Sequence, residues 1–231
     1  MRIYHYESIP STNAEAKKMI LDGKREGILL ARHQTAGRGR LGRSFFSENG
    51  IFMSIILSPE RLSFDPGFLT SAMAAATCRA IEKQGFTARI KWVNDIYFEE
   101  KKVCGILSEA VSMGKETLAY VVGIGINVGT TEFPDDLKHI ASFLPLDDTA
   151  KDTLFFDILS HIEHVLSEKQ ENILLYLKEK SLVLGKEILF FGAKNGNGIA
   201  LDLDKNGGLV VQTSENEKII LTGGEISVRT K

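Results

Sequence analysis

Gly27-Ile-Leu-Leu-Ala-Arg-His-Gln-Thr-Ala-Gly-Arg-Gly-Arg-Leu-Gly-Arg-Ser-Phe-Phe-Ser-Glu-Asn-Gly-Ile-Phe-Met-Ser-Ile-Ile-Leu57 reads as strand, loop, strand. Gly27 to Ala31 and Ile51 to Leu57 are short apolar runs rich in branched residues and bounded by polar or glycine punctuation, the pattern of buried strands. Between them, Gly37 to Arg43 carries Arg38, Arg40 and Arg43 alternating with Gly37, Gly39 and Gly42. Glycine lets a backbone come close to a ligand. Arginine offers a planar, permanently charged fork that matches carboxylate and phosphate oxygens. The run is not a P-loop, since the Gly-Lys-Ser/Thr ending is missing. Alone it would read equally well as a disordered RNA-binding arginine-glycine segment, but a single copy between two strands argues against that. Gln34 and Thr35 add neutral hydrogen-bonding groups, which suit an uncharged polar ligand head better than a phosphate.

Upstream, Ser11-Thr-Asn-Ala-Glu15 caps a short helix carrying Ala14, Ala16 and Met19, with Gly23 as its stop. Downstream, Leu69, Met73, Ala76, Ala80 and Ile81 recur at helical spacing between Pro66 and Gln84. Ala88 to Trp92 and Ile96 to Phe98 read as strands. Glu99-Glu-Lys-Lys102 reads as a solvated turn, and Val103 to Ala110 and Leu118 to Val128 as further strands. A second long helix is expected within Thr153 to Lys180, where Phe155, Ile158, Leu159, Ile162, Val165 and Leu166 form a stripe. From Gly185 the texture changes to short strands, Ile188 to Phe191, Gly198 to Leu203, Leu209 to Thr213 and Lys218 to Leu221, with Asn206-Gly207 as a hairpin cue. A boundary near Leu184 therefore separates a body from a small β-rich tail with its own modest core.

The chain has 231 residues and a formal charge of -2, so nothing in bulk draws it to nucleic acid or anionic membrane. Cys78 and Cys104 lie far apart in apolar surroundings, without the spacing of a zinc site or redox dithiol. His5, His33, His139, His161 and His164 show no metal-ligand spacing. The first residues carry no signal peptide and no apolar stretch could span a bilayer, so a cytoplasmic protein is expected. Lys91-Trp-Val-Asn-Asp95 closes a strand with a cation, an aromatic, an amide and a carboxylate, although Trp92 could be core and Asn94-Asp95 a turn. Gly123-Ile-Gly-Ile-Asn127 leaves a strand surface open to a ligand or another backbone. With no Gly-x-Ser-x-Gly elbow, the chemistry suggested is stabilisation of charge on a transferred phosphoryl or nucleotidyl group.

In this order, Ser11-Thr-Asn13, Gln34-Thr-Ala-Gly-Arg-Gly-Arg-Leu-Gly-Arg43, Lys91-Trp-Val-Asn-Asp95, Lys102-Val-Cys-Gly-Ile-Leu-Ser-Glu109 and Gly123-Ile-Gly-Ile-Asn-Val128 resemble the biotin-protein ligase family. The ordered set is far more specific than any one member. The resemblance covers the chain to about Val128, and the tail is similar to that family's SH3-like C-terminal domain. It implies an α+β fold, a mixed β-sheet flanked by helices as in class II aminoacyl-tRNA synthetases, over residues 1–184, with an SH3-like β-barrel over 185–231. Two positions depart from the family's habit: Val93 stands where proline is common, and Phe45 where tryptophan is common.

The resemblance also implies a reaction. Biotin's carboxylate attacks the α-phosphate of ATP, which arrives with Mg2+, to give biotinyl-5'-AMP, and a lysine of a biotin carboxyl carrier domain then takes the acyl group. Biotin would be held by Ser11, Thr12, Asn13, Gln34, Gly37, Arg38, Gly39, Arg40, Lys91 and Gly105. ATP would be held by Arg40, Arg43, Lys91, Asn94 and Asn127. Lys91 and Arg40 would be catalytic, Lys91 by neutralising two anions that must meet and Arg40 by retaining the adenylate. No protein-held metal set is implied. No DNA partner is expected, because the Ser11 motif starts too near the terminus to leave room for a DNA-binding domain, and no membrane partner is expected. A homodimer is left open. The competing readings are a lipoate or octanoate ligase or transferase of the same architecture, and a non-catalytic biotin-sensing or RNA-binding module.

Overall fold

The computed structural model describes residues 1–42, 45, 49–129, 133–192, 195–223 and 226–230. The chain opens with strand β1 (Ile3–Ile9), helix α1 (Thr12–Leu21), and strands β2 (Gly27–Gln34) and β3 (Gly50–Leu57). Helix α2 (Leu69–Lys83) leads into β4 (Arg89–Lys91), β5 (Asp95–Phe98), β6 (Lys101–Met113) and β7 (Glu116–Asn127). Helices α3 (Asp148–Ser167) and α4 (Gln170–Glu179) precede the tail strands β8 (Glu187–Gly192), β9 (Gly196–Leu203), β10 (Leu209–Thr213), β11 (Lys218–Leu221) and β12 (Ile226–Thr230).

The first seven strands form one mixed sheet in the order β1-β2-β3-β7-β6-β5-β4. Only β1 and β2 run parallel. Every residue of β3 is buried, because the strand has a neighbour on each side and a helical layer on each face. On one face Ala16 and Ile20 of α1 pack against Leu29, Ile56 and Val121. On the other lie α2 and α3, with the expected stripe of Leu69, Met73, Ala76, Ala80 and Ile81 entirely buried. Helix α1 is too short to cover its whole face. Beyond its N-terminus Gly105, Gly123, Gly125 and Asn127 form the floor of a cavity on this face of the sheet.

The tail strands form an antiparallel sheet in the order β11-β10-β9-β8-β12. Its buried side chains, among them Ile188, Phe190, Leu209 and Val211, belong to the same continuous core as α2 and the large sheet, whereas a separate tail core was expected. Trp92 ties the two sheets together, its indole N–H donating to the Gly207 carbonyl at 2.9 Å. The Asn206-Gly207 cue marks a true reversal between β9 and β10. There the Asp204 carboxylate accepts from the N–H groups of Asn206 and Gly208, each at 2.8 Å.

Three elements differ from the expectation. The helix expected within 153–180 is two helices, broken where Glu168 turns extended (φ -77°, ψ 150°). At that break its carboxylate receives a two-pronged bond from Arg79 of α2 at 2.6 and 3.2 Å. Strands β1 and β12 were not foreseen. Each lies at a sheet edge, where one flank has no partner strand among the described residues and a continuous apolar run is not required. Among the described residues no helix is long and apolar enough to cross a membrane.

Candidate functional site

The cavity on the α1 face holds about 620 Å³, within the size range of small-molecule sites. One end is built by the start of α1. Ser11 caps the helix by accepting from Ala14 N at 3.4 Å, which points the hydroxyl of Thr12 and the amide of Asn13 at the sheet. Gln34, closing β2, accepts the Thr12 backbone N–H at 2.8 Å through Oε1. Beneath them Ser54 of β3, fully buried, lies within hydrogen-bond distance of both Thr12 Oγ1 and Asn13 Oδ1.

Glycines set the shape of the floor. A Cβ on Gly123 would stand 2.2 Å from Asn13 Oδ1, and one on Gly125 would stand 2.8 Å from the Phe45 ring. The openness expected of this Gly-Ile-Gly run is thus taken up by two side chains of the protein, which brings helix and loop down onto the strand. Phe45 also meets Phe52 edge-on at 6.3 Å between centroids. An aromatic face is therefore kept in the cavity wall at this position.

Cations line the middle of the cavity. Arg38, Arg40, Lys91 and Lys102 all border it, with Asp95 as a carboxylate among them. Lys91 ends β4 with its ammonium 5.5 Å from the centre of the Tyr97 ring. Burial, and after it the nearby Asp95, push the Tyr97 phenol up to about 12, so it stays a neutral donor. Lys102 pairs with Asp95 at 2.7 Å and lies over Gly105, where a Cβ would come within 3.1 Å of its Nζ. The peptide between Trp92 and Val93, in the turn joining β4 to β5, is cis. In that turn Asn94 donates to the Ile106 carbonyl at 3.0 Å and accepts from Arg40 Nη1 at 3.0 Å. Arg40 also donates to the Gly223 carbonyl of the tail.

Of the residues singled out from sequence, the cavity brings together Ser11, Thr12, Asn13, Gln34, Arg38, Gly39, Arg40, Lys91, Asn94, Gly105 and Asn127. Gly37 stands just behind, its carbonyl accepting from Phe45 N at 3.0 Å where the loop closes on itself. Arg43 lies outside the described residues. Asn127 is almost wholly buried, its Nδ2 donating to the Ser142 carbonyl at 2.8 Å. Its Oδ1 is buried and has no hydrogen-bond partner among the described residues.

Sequence reasoning missed Lys102, Ser54, the cavity wall at Leu137, Ile140 and Ala141, and Arg229 of the last strand. Ser54 had a signal, as the one polar side chain in an apolar run. Lys102 was read as part of a solvated charge run. No group of three or more His, Cys, Asp or Glu that could hold a metal occurs among the described residues.

Residues 6–127 match the model of the biotin/lipoate A/B protein ligase family, and 183–229 match that of the biotin protein ligase C-terminal domain. The bifunctional ligase/repressor BirA of Bacillus subtilis is 34% identical over 94% of this chain and 71% of its own length. The biotin--[acetyl-CoA-carboxylase] ligase of Mycobacterium tuberculosis is 28% identical over 95% of this chain and 86% of its own. Among solved structures, biotin protein ligase from Aquifex aeolicus in complex with biotin and ATP superposes with a TM-score of 0.85 at 28% identity, covering 100% of this chain and 99% of that one.

Proposed function

The chain belongs to the biotin/lipoate A/B protein ligase family, and from that premise we propose that it is an ATP-dependent biotin-protein ligase. One observation carries the choice within the family. The cavity joins a buried polar end, lined by Thr12, Asn13 and Gln34 with Ser54 beneath them, to a cationic middle lined by Arg38, Arg40, Lys91 and Lys102. A polar head with an acid tail fits that arrangement, whereas a plain fatty acyl chain would leave the buried polar groups unpaired. The named relatives act or bind accordingly: one carries biotin and ATP in its structure, another is a ligase acting on acetyl-CoA carboxylase.

In the first step a carboxylate oxygen of biotin attacks the α-phosphorus of ATP, and the bond to pyrophosphate breaks. Two anions must meet, so ammonium and guanidinium groups along the path lower the barrier by offsetting their charge. Lys91 serves this role as the sequence suggests, and Lys102, held by Asp95, is placed to share it. Mg2+ enters as part of the nucleotide substrate. In the second step a lysine amine of a biotin carboxyl carrier domain attacks the acyl carbon, AMP leaves with the bridging oxygen, and the amine sheds its proton to solvent.

The test is ATP-pyrophosphate exchange with biotin, followed by ATP-dependent transfer of labelled biotin to a carrier domain. Exchange that responds to lipoate or octanoate and ignores biotin would overturn the reading.

A further inference from the structure

We propose that Ser54 and Glu109, neither of them lining the polar end of the cavity itself, are positioning residues that set the direction of its hydrogen bonds. The inference rests on the biotin reading for the identity of the ligand and on geometry for everything else. Asn13 Nδ2 lies 2.8 Å from Glu109 Oε2 and 3.3 Å from the Leu107 carbonyl. Both are acceptors, so the amide nitrogen must face them and Oδ1 must face the sheet. There Oδ1 lies 2.5 Å from Ser54 Oγ. An amide oxygen has no proton to give, so that contact takes the single proton of the serine hydroxyl.

Ser54 Oγ also lies 2.7 Å from Thr12 Oγ1. With its own proton committed, Ser54 can only accept here, and Thr12, whose Oγ1 also lies 3.1 Å from Gln34 Oε1, gives its one proton to the shorter of its two contacts, the one to Ser54. The chain therefore runs one way, from Thr12 to Ser54 to Asn13 to Glu109, and ends on a carboxylate whose other oxygen is paired with Lys17 at 2.6 Å. What remains facing the cavity follows. Thr12 Oγ1 shows a lone pair, and Gln34, whose Oε1 is occupied by the Thr12 N–H, shows its Nε2 donor. An acceptor beside a donor is the complement of an N–H beside a C=O, the edge of a cyclic urea. The polarity of that edge is fixed by a carboxylate three hydrogen bonds away from Thr12.

The experiment measures biotin and ATP kinetics by pyrophosphate exchange in the full-length protein. Ser54→Ala and Glu109→Leu are each expected to raise the KM for biotin about tenfold, with kcat and the KM for ATP within about twofold of wild type. Glu109→Gln keeps an acceptor oxygen for Asn13 and should stay within about threefold of wild type. Lys17→Ala tests whether the ion pair or the acceptor matters, and should leave the biotin KM unchanged. A biotin KM within twofold of wild type in Glu109→Leu overturns the proposal. So does a loss confined to kcat or to the amount of folded protein, or a Glu109→Gln as impaired as Glu109→Leu. Should Ser54→Ala fail to fold, the partly exposed Glu109 decides alone. Wild-type protein with no biotin-dependent exchange is a failure of the ligase reading, and is seen before any variant is made.

Discussion

Lys91 and Lys102 reach the same cavity from opposite arms of one hairpin system, the first closing β4 and the second near the start of β6. If both offset charge as the two anions meet, Lys91→Ala and Lys102→Ala should each lower biotin-dependent pyrophosphate exchange by about 100-fold or more. Arg40 holds a different place, bonded to Asn94 and to the tail carbonyl of Gly223. Arg40→Gly is expected to keep forming adenylate but to release it, seen as biotin on bystander lysines; a variant that labels no more bystander protein than wild type would count against this. Gly123 answers to a different force. A methyl group there collides with Asn13, and Gly123→Ala should lower stability by about 1–3 kcal/mol in urea unfolding. The arginines and glycines of the loop were legible from sequence because three guanidinium groups and three glycines crowd into seven positions between two apolar strands. Lys102 was not, because in sequence it continues a charge run, and only pairing with Asp95 across β5 and β6 turns it toward the cavity.

At the level of elements, strands with two neighbours and helices with a full apolar stripe were readable, since burial on both sides leaves a continuous pattern. The edges were not. β1 alternates only weakly because half of it faces solvent, and the α3–α4 break depends on Glu168 meeting Arg79 of a helix far away in sequence. The Lys91-Trp-Val-Asn-Asp95 stretch shows both outcomes in one place. Lys91 and Asn94 line the cavity, as a functional reading requires, while Trp92 is core, as a structural reading requires. Trp92 also donates to Gly207, so Trp92→Phe leaves a buried carbonyl without its donor. We expect a loss of about 1–3 kcal/mol, measured by chemical denaturation, with the catalytic constants changed far less.

For the whole molecule, a continuous core means that the boundary near residue 184 divides sequence more cleanly than it divides packing. A chain ending at 184 would expose the partners of Ile188, Phe190, Leu209 and Val211 and is expected to aggregate or remain unfolded, as judged by circular dichroism and light scattering. The ionisation of buried groups sets an alkaline limit. Burial raises Cys78 and Tyr97 each to about 12, and Cys104 and Tyr176 higher still. The folded state thus holds these protons more tightly than the unfolded chain does. Their stabilisation is complete below the unfolded values, about 9 for a thiol and 10 for a phenol, and fades as pH rises from there through the folded values. Melting temperature should therefore fall steadily above about pH 9, and both thiols should resist a thiol-reactive dye at pH 8 until the chain unfolds. The indole that joins the two sheets has a last consequence, in optical terms. Trp92 is the only tryptophan in the chain, so its emission comes from a single address, the seam between body and tail, one residue from Lys91. Any ligand or carrier that loosens or tightens that seam will shift the colour of the whole protein's fluorescence, with no label attached.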